Sequence, residues 1–135
     1  MSTILLFNVN DAIKKEAIRL TSLRYGIELL EILPSEQGKA LEDLLLGSEN
    51  RPSETFTAFT DEMLVMHSLS AGQFHGLLDT LRSTGQTVRL KAVVTEHNSS
   101  WSAVRLHREL LAEAAAMEKQ TSLKRQSSSH SKRRK

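Results

Sequence analysis

The stretch from Asp61 to Leu111 constrains the fold of this chain more than any other part. It contains two strand-like segments, 63–66 and 88–94, and each is followed by a helix-length segment with apolar residues three and four positions apart. Ser70, with Gln73 three residues later, forms the pattern of a capping box at the start of the first of these helices. This alternation of strand and helix predicts an α/β fold.

The amino-terminal half repeats the alternation. Thr3–Phe7 is an apolar run typical of a strand buried on both faces, and 27–33 indicates an edge strand because Glu28 and Glu31 interrupt its apolar character. Asp11 is placed to cap a helix between these two strands. The apolar spacing within that helix predicts the face that it turns to the core: Ile13, Ala17, Leu20 and Leu23.

Four strands alternating with four helices favour a three-layer α/β fold, in which a mostly parallel four-stranded sheet carries helices on both faces. We expect the strand order 2-1-3-4, a flavodoxin- or receiver-like topology truncated to four strands, because the first and third strands are the most apolar. The alternative is a ferredoxin-like α+β sandwich with an antiparallel central pair. A long loop over 48–60 is compatible with either topology.

Length and composition limit the class of protein. With 39% hydrophobic and 25% charged residues among 135, the chain is expected to form a single α/β domain over residues 1–118. The lack of cysteine excludes disulfides, thiolate metal sites and a cysteine nucleophile, and it favours a cytoplasmic location. We expect neither a signal peptide nor a membrane span, because no apolar run is long enough.

The positive charge of the chain lies in its carboxyl-terminal tail, 119–135. Seven of the 18 basic residues lie there without any acidic residue, so residues 1–118 hold 11 basic and 16 acidic side chains and a formal charge of −5. The tail is rich in serine and has a single leucine, so we expect it to be disordered. One hypothesis is weak nucleic-acid contact through its basic residues Lys124, Arg125, Lys132, Arg133, Arg134 and Lys135.

Polar residues gather where the predicted strands end. In the favoured topology, the carboxyl ends of the first and third strands flank a crevice. We predict that this crevice holds a protein partner or a small anionic ligand, because helix amino termini present free backbone N–H groups there. The predicted ligand-binding residues are Asn8, Asn10, His67, Ser68, Thr95, Asn98 and Trp101.

Sequence patterns for catalysis are weak. The chain has no G-x-G-x-x-G, P-loop, G-x-S-x-G or H-E-x-x-H motif, so we predict no cofactor and no bound metal. A binding or regulatory module is the favoured function, and the alternative is a small hydrolase or transferase that uses His67 or His97. Receiver-like phosphorelay is not expected, because His67 and Ser68 stand where the third strand would end in a phosphorylatable Asp.

Four short motifs resemble a known family. They are Glu62–Met66 (EMLVM), Leu81–Arg82 at the end of a helix, Leu90–Thr95 (LKAVVT), and Asn98 with Trp101. Through these motifs, residues 60–111 resemble the bacterial domain of unknown function 3783 family. The family has no assigned activity, so the resemblance implies none, and the basic tail lies outside it.

The tail hypothesis predicts binding that depends steeply on salt. Affinity for a labelled DNA duplex, measured by fluorescence anisotropy, should fall with a log–log salt slope of up to about −5 if all six basic residues contact phosphates. Removing the residues after Gln120 should abolish this binding. A variant that replaces Ser127, Ser128 and Ser129 with Ala keeps the charge and is the control. Equal affinity with and without the tail would dismiss the hypothesis.

Overall fold

The structure, a computed structural model, describes residues 1–49 and 55–133, with side chains through residue 120. α4 extends into the tail, for which the expectation of disorder stays a prediction, and the tail side chains suggested for nucleic-acid contact lie outside the described residues. The elements of the described ranges are β1 (Thr3–Phe7), α1 (Ala12–Arg24), β2 (Glu28–Ile32), a 3-10 turn (Pro34–Glu36), α2 (Leu41–Leu46), β3 (Met63–His67), α3 (Ala71–Ser83), β4 (Leu90–Val93) and α4 (Ala103–Arg133).

The strands form one mixed sheet of order β2-β1-β3-β4, which confirms the expected order and the edge position of β2. β1 pairs with β2 in parallel, and β3 pairs with β4 in parallel. The central pair, however, is antiparallel, with Leu5 opposite Val65. The expectation that β1 and β3 run in the same direction is therefore wrong, and an antiparallel central pair is the feature that we expected of the ferredoxin-like alternative.

The connections explain why the two outer pairs are parallel and the central pair is not. A single helix joins β1 to β2 and another joins β3 to β4, and such a crossover returns the chain in its original direction. The connection from β2 to β3 is much longer and includes α2. This long connection allows β3 to run in either direction. The sequence pattern of an apolar strand is the same in both directions and therefore does not indicate which one is adopted.

The side chains of the central strands alternate between two core clusters. Successive residues of a strand point to opposite faces of the sheet, so Leu5 and Ile4 enter different clusters. Complete burial of such a side chain stabilises the fold by about 1.5–3 kcal/mol. One cluster includes Leu41 and Leu44 of α2 with Ala103 and Leu106 of α4, and the other includes Ile18 of α1 with Leu77 and Leu81 of α3.

The two halves of the structure, β1-α1-β2 and β3-α3-β4, have the same arrangement of elements, although no repeat is visible in the sequence. α1 and α3 each have 13 residues, and a shift of 59 positions aligns Ala12 with Ala71 at their first residues. Gly26 and Gly85 follow the two helices with φ of 67° and 71°, a left-handed conformation that glycine adopts without strain. Because β1 and β3 are antiparallel neighbours, an approximate two-fold axis normal to the sheet relates the halves.

Each half also reaches across to the helix of the other half. Glu62, just before β3, accepts a hydrogen bond from Lys14 Nζ of α1 at 2.7 Å. Ser2, just before β1, donates to Gln73 Oε1 of α3 at 2.8 Å. Lys14 and Gln73 occupy positions that the same 59-residue shift aligns, so these two contacts are equivalent cross-links between the halves.

α1 is rotated away from the orientation that its apolar spacing predicts. It buries Thr21 and Ser22 beside Ile18, and each hydroxyl donates at 2.7 Å to a backbone carbonyl four residues earlier. Since their polar groups are satisfied within the helix, these residues can enter the interior. The predicted core face is wrong for three side chains that point to solvent: Ile13 (71% exposed), Leu20 (50%) and Leu23 (70%).

The contact between α1 and α3 gives a prediction at Gly76. A Cβ there would overlap the ring of Tyr25. Gly76→Ala should therefore destabilise the protein by about 1 kcal/mol, because the clash outweighs the gain in helix propensity. In a Tyr25→Ala background the clash is gone, and the same substitution should stabilise by about 0.5–1 kcal/mol.

Urea unfolding of the four proteins of this double-mutant cycle measures the coupling. Gly72→Ala is the control on the same helix, because a Cβ there meets only Ser70 Oγ, at 3.9 Å. Equal effects of Gly76→Ala in the two backgrounds would show that Tyr25 does not restrict this position.

Candidate functional site

The parallel pairing of β3 with β4 brings their carboxyl ends to the same edge of the sheet. Met66 pairs with Val93, and the Val94 N–H donates to the Met66 carbonyl at 2.9 Å. The residues that follow the two strands are consequently neighbours at this edge. The predicted ligand-binding residues found here are His67, Ser68, Thr95 and Asn98.

The antiparallel pairing of β1 with β3 places the carboxyl end of β1 at the opposite edge. Asn8, directly after β1, donates from Nδ2 to the carbonyls of Phe59 and Asp61, at 2.8 and 3.0 Å, on the chain that leads into β3. The single crevice expected between the ends of β1 and β3 is therefore not formed. Asn8 and Asn10 are separated from His67, and their role in ligand binding stays a prediction.

Asn8 belongs to a polar network around Gln37, whose side chain is completely buried. Gln37 Nε2 donates to Asn8 Oδ1 and to the Phe59 carbonyl, both at 3.3 Å, while Gln37 Oε1 accepts from the Phe59 N–H at 2.8 Å. The Gln37 side-chain amide thus both donates to and accepts from the Phe59 backbone, as the backbone of a neighbouring strand does. Gln37 could not be predicted from the sequence, because a lone glutamine between the 3-10 turn and α2 has no diagnostic spacing.

His107 of α4 joins the same edge of the sheet. Its ring stacks on Phe59 with centroids 4.1 Å apart, and its Nε2 lies 2.8 Å from Asp61 Oδ2. A histidine paired with a carboxylate is one half of an acid–base site. Within the described part of the chain, however, no hydroxyl is hydrogen-bonded to His107, so the pair serves to tie α4 to the segment before β3.

The loop between β4 and α4 is held by its own side chains. Asn98 is 9% exposed; its Oδ1 accepts from the Thr95 N–H at 2.8 Å, and its Nδ2 donates to the Val93 carbonyl at 3.1 Å. Thr95 Oγ1 accepts from the Asn98 N–H at 3.3 Å. Both the oxygen and the nitrogen of the Asn98 side-chain amide are thus hydrogen-bonded within this segment, so Thr95 and Asn98 determine the conformation of the loop.

This loop presents Trp101 on the surface. The indole is half-buried and packs against the core cluster of α2 and α4, while the Trp101 carbonyl accepts from the Leu41 N–H at 2.9 Å. The Arg105 guanidinium lies 4.3 Å above the indole centroid, and the His97 ring meets it edge-on at 5.2 Å. Arg105 follows Trp101 by four positions, but Trp101 precedes the first residue of α4, so the helical i, i+4 rule does not predict this contact from the sequence.

One further contact between polar side chains lies just after β3. Ser68 Oγ and His67 Nε2 are 3.5 Å apart, the outer limit of a hydrogen bond. Among the residues whose placement is described, there is no group of three or more His, Asp or Glu side chains able to hold a metal ion. The same residues include no helix long and apolar enough to cross a membrane.

These features define an α/β protein with a mixed four-stranded sheet and a loop-borne aromatic site. Residues 62–117 match the family model described as Domain of unknown function (DUF3783), which confirms the resemblance drawn from the sequence motifs. The match covers β3, α3, β4 and the first part of α4, so it includes His67 and Trp101 but neither Asn8 nor Asn10. Comparisons with curated proteins and with solved structures found no match.

The hydrogen bonds of Asn98 give a prediction for the loop. Asn98→Ala removes two side-chain bonds and leaves the Thr95 N–H without its acceptor, so it should destabilise the protein by about 1–3 kcal/mol. It should also change the Trp101 emission, because the loop carries the indole. Urea unfolding followed by fluorescence measures both, with the exposed Ser100→Ala as control. A loss no larger than that of the control would contradict the structural role of Asn98.

Proposed function

We propose that this protein is a small binding or regulatory module that holds a protein partner or a small anionic ligand. The proposed contact surface lies at the carboxyl end of β4 and at the start of α4. A single observation carries the proposal: the half-buried indole of Trp101 lies beneath the Arg105 guanidinium and beside His97.

The charges at this surface favour an anionic group as the ligand. In the described part of the chain, no carboxylate is paired with Arg105, so its guanidinium N–H donors are available while its face covers the indole. A guanidinium in this position offers two parallel donors to a carboxylate or phosphate. Because residues 1–118 carry a formal charge of −5, a local cationic surface would give an anionic ligand one preferred place to bind.

The rigidity of the loop also supports binding. Its shape is set by Thr95 and Asn98, so a ligand would meet a preformed surface and binding would cost little ordering entropy. His67 and Ser68 lie near the start of this loop and are proposed as the outer boundary of the site. The family match includes all of these residues.

Three further assignments remain proposals. The helices are proposed to form two outer layers around the sheet, supported by the two separate core clusters. A cytoplasmic location is supported by the lack of cysteine. A small hydrolase or transferase working through His67 or His97 is the second candidate function; its support is the 3.5 Å contact between His67 and Ser68, which lacks an orienting carboxylate among the described side chains.

The proposal can be tested through Trp101, the only tryptophan. Titration with inorganic phosphate, citrate or a short polyglutamate peptide should change its fluorescence in a saturable way for at least one probe. Arg105→Ala should weaken that binding about tenfold or more, because a charge-assisted hydrogen bond contributes about 1.5–3 kcal/mol. The control is Arg108→Ala, an exposed arginine on the same helix.

Two results would count against the proposal. One is the absence of a saturable response to all three probes. The other is binding that Arg105→Ala and Arg108→Ala weaken equally, because that would indicate general attraction to positive charge instead of a site at Trp101.

A further inference from the structure

The outward face of α1 carries three large apolar side chains, each of which is at least half exposed. Ile13, Leu20 and Leu23 lie at intervals of seven and three residues, so they form one stripe along the helix. Glu16 lies within the same stripe. We call these four residues the α1 stripe.

The equivalent helix of the other half, α3, shows whether the fold requires apolar residues on this face. The 59-residue shift that aligns α1 with α3 places the α1 stripe on four exposed α3 residues, none of them a large apolar residue. The same position in the fold is therefore stable with a polar surface. The equivalents of Ile13, Glu16, Leu20 and Leu23 are Gly72, His75, Asp79 and Arg82.

The apolar side chains of the α1 stripe are thus exposed to water at a free-energy cost, although the fold does not require apolar residues at these positions. Three large apolar side chains in one line on a surface helix indicate a contact surface, whereas a scattered exposed leucine would need no explanation. The stripe also lies outside the matched segment 62–117, so it is a feature of the half that the family model does not cover.

The charges beside the stripe indicate what covers it. Arg19 Nε donates to Glu16 Oε2 at 2.9 Å, and this bond holds the pKa of the Glu16 carboxyl below its ordinary value. Glu16 is consequently ionised at neutral pH. One helix therefore presents a negative group within the stripe and a positive group beside it, one turn apart, a pattern that is complementary to its own copy reversed end to end.

We propose that α1 pairs with α1 of a second copy of this chain, antiparallel and about a two-fold axis. Setting Ile13 against Leu23 of the second copy brings Glu16 level with the second copy's residue 20. Glu16 then lies beside Arg19 of the second copy, and Arg19 lies beside Glu16 of the second copy. The two internal ion pairs become one network of four alternating charges at the middle of the contact, between the two apolar pairs of Ile13 with Leu23.

A membrane surface is the competing occupant, because α1 is rich in basic residues. Three of these four charges are already paired: Lys14 with Glu62, Lys15 with Glu31, and Arg19 with Glu16. The fourth, Arg24, lies over the Tyr25 ring. Attraction to anionic lipid needs free positive charge, and the charge of −5 over residues 1–118 opposes it. The self-complementary pattern therefore favours a second copy.

The size of the stripe predicts a weak dimer. Three partly exposed side chains per copy offer much less than the roughly 800 Å² per partner of a standard interface. Association also has to offset the loss of rotational and translational freedom. Dimerisation is therefore expected in the micromolar range or above, and measurements must extend to high protein concentration.

Sedimentation velocity of the full chain, from low micromolar to near-millimolar concentration, tests the proposal. The wild type should shift from monomer towards dimer. Leu20→Glu should raise the dimer dissociation constant at least tenfold, because this register sets the new carboxylate against Glu16 of the other copy at two places (a tenfold change corresponds to about 1.4 kcal/mol). Leu46→Glu, on α2 and 81% exposed, is the matched control and should dimerise like the wild type. Circular dichroism verifies that the variants are folded.

A charge-reversal experiment tests the antiparallel arrangement itself. Glu16→Arg gives both copies only positive groups at positions 16 and 19, and Arg19→Glu gives both only negative groups there, so each variant alone should dimerise less than the wild type. An equal mixture of the two should form a heterodimer, because opposite charges then face each other. The double variant with both substitutions should regain wild-type dimerisation.

The proposal is overturned if the wild type stays monomeric over the whole concentration range, or if Leu20→Glu and Leu46→Glu have equal effects. A dimer whose charge-reversed variants do not prefer each other would overturn the α1–α1 arrangement. Binding to phosphatidylserine vesicles that Leu20→Glu abolishes, without any dimer in solution, would assign the α1 stripe to a membrane instead.

Discussion

The antiparallel pairing of β1 with β3 is the interaction on which the rest of the structure depends. It joins two halves of the same design, each a pair of parallel strands with a connecting helix, and it completes the backbone hydrogen bonding of the two most buried strands. Because the halves run in opposite directions, each edge of the sheet receives the carboxyl ends of one half and the amino ends of the other. The polar residues after the strands are consequently divided between two edges, which gives the molecule two distinct polar regions.

The two regions differ in how their polar groups are used. At the edge beyond β1, Gln37 and Asn8 are hydrogen-bonded to each other and to the backbone around Phe59, which stabilises the fold there. At the other edge, the Asn98 side chain forms its hydrogen bonds within the loop. The Arg105 guanidinium packs on the indole and has no carboxylate partner among the described residues. Buried amides of this kind are stabilising only when every polar atom has a partner, and no buried side-chain nitrogen or oxygen of the described residues lacks one.

The halves also divide the two surfaces that we associate with binding. The aromatic site lies in the half that matches the family model, and the apolar helix face lies in the half that does not. The near-equivalence of the two halves allows α1 to be compared with α3: the same position in the fold is apolar on α1 and polar on α3. A contact through α1 would leave the loop of Trp101 accessible, because that loop packs with α2 and α4, whereas α1 contributes to the other core cluster.

The sequence by itself determined the local structure, because local hydrogen bonds and backbone preferences depend on near neighbours. The caps at Asp11 and Ser70 and the apolar character of the central strands follow from it. The strand order could also be predicted, because the most apolar strands are expected at the centre of a sheet. Only the tertiary structure decided the direction of β3, because the long connection before it imposes none and strand alternation is the same in both directions. It likewise decided the buried face of α1, because Thr21 and Ser22 satisfy their hydroxyls within the helix and can replace leucine in the interior.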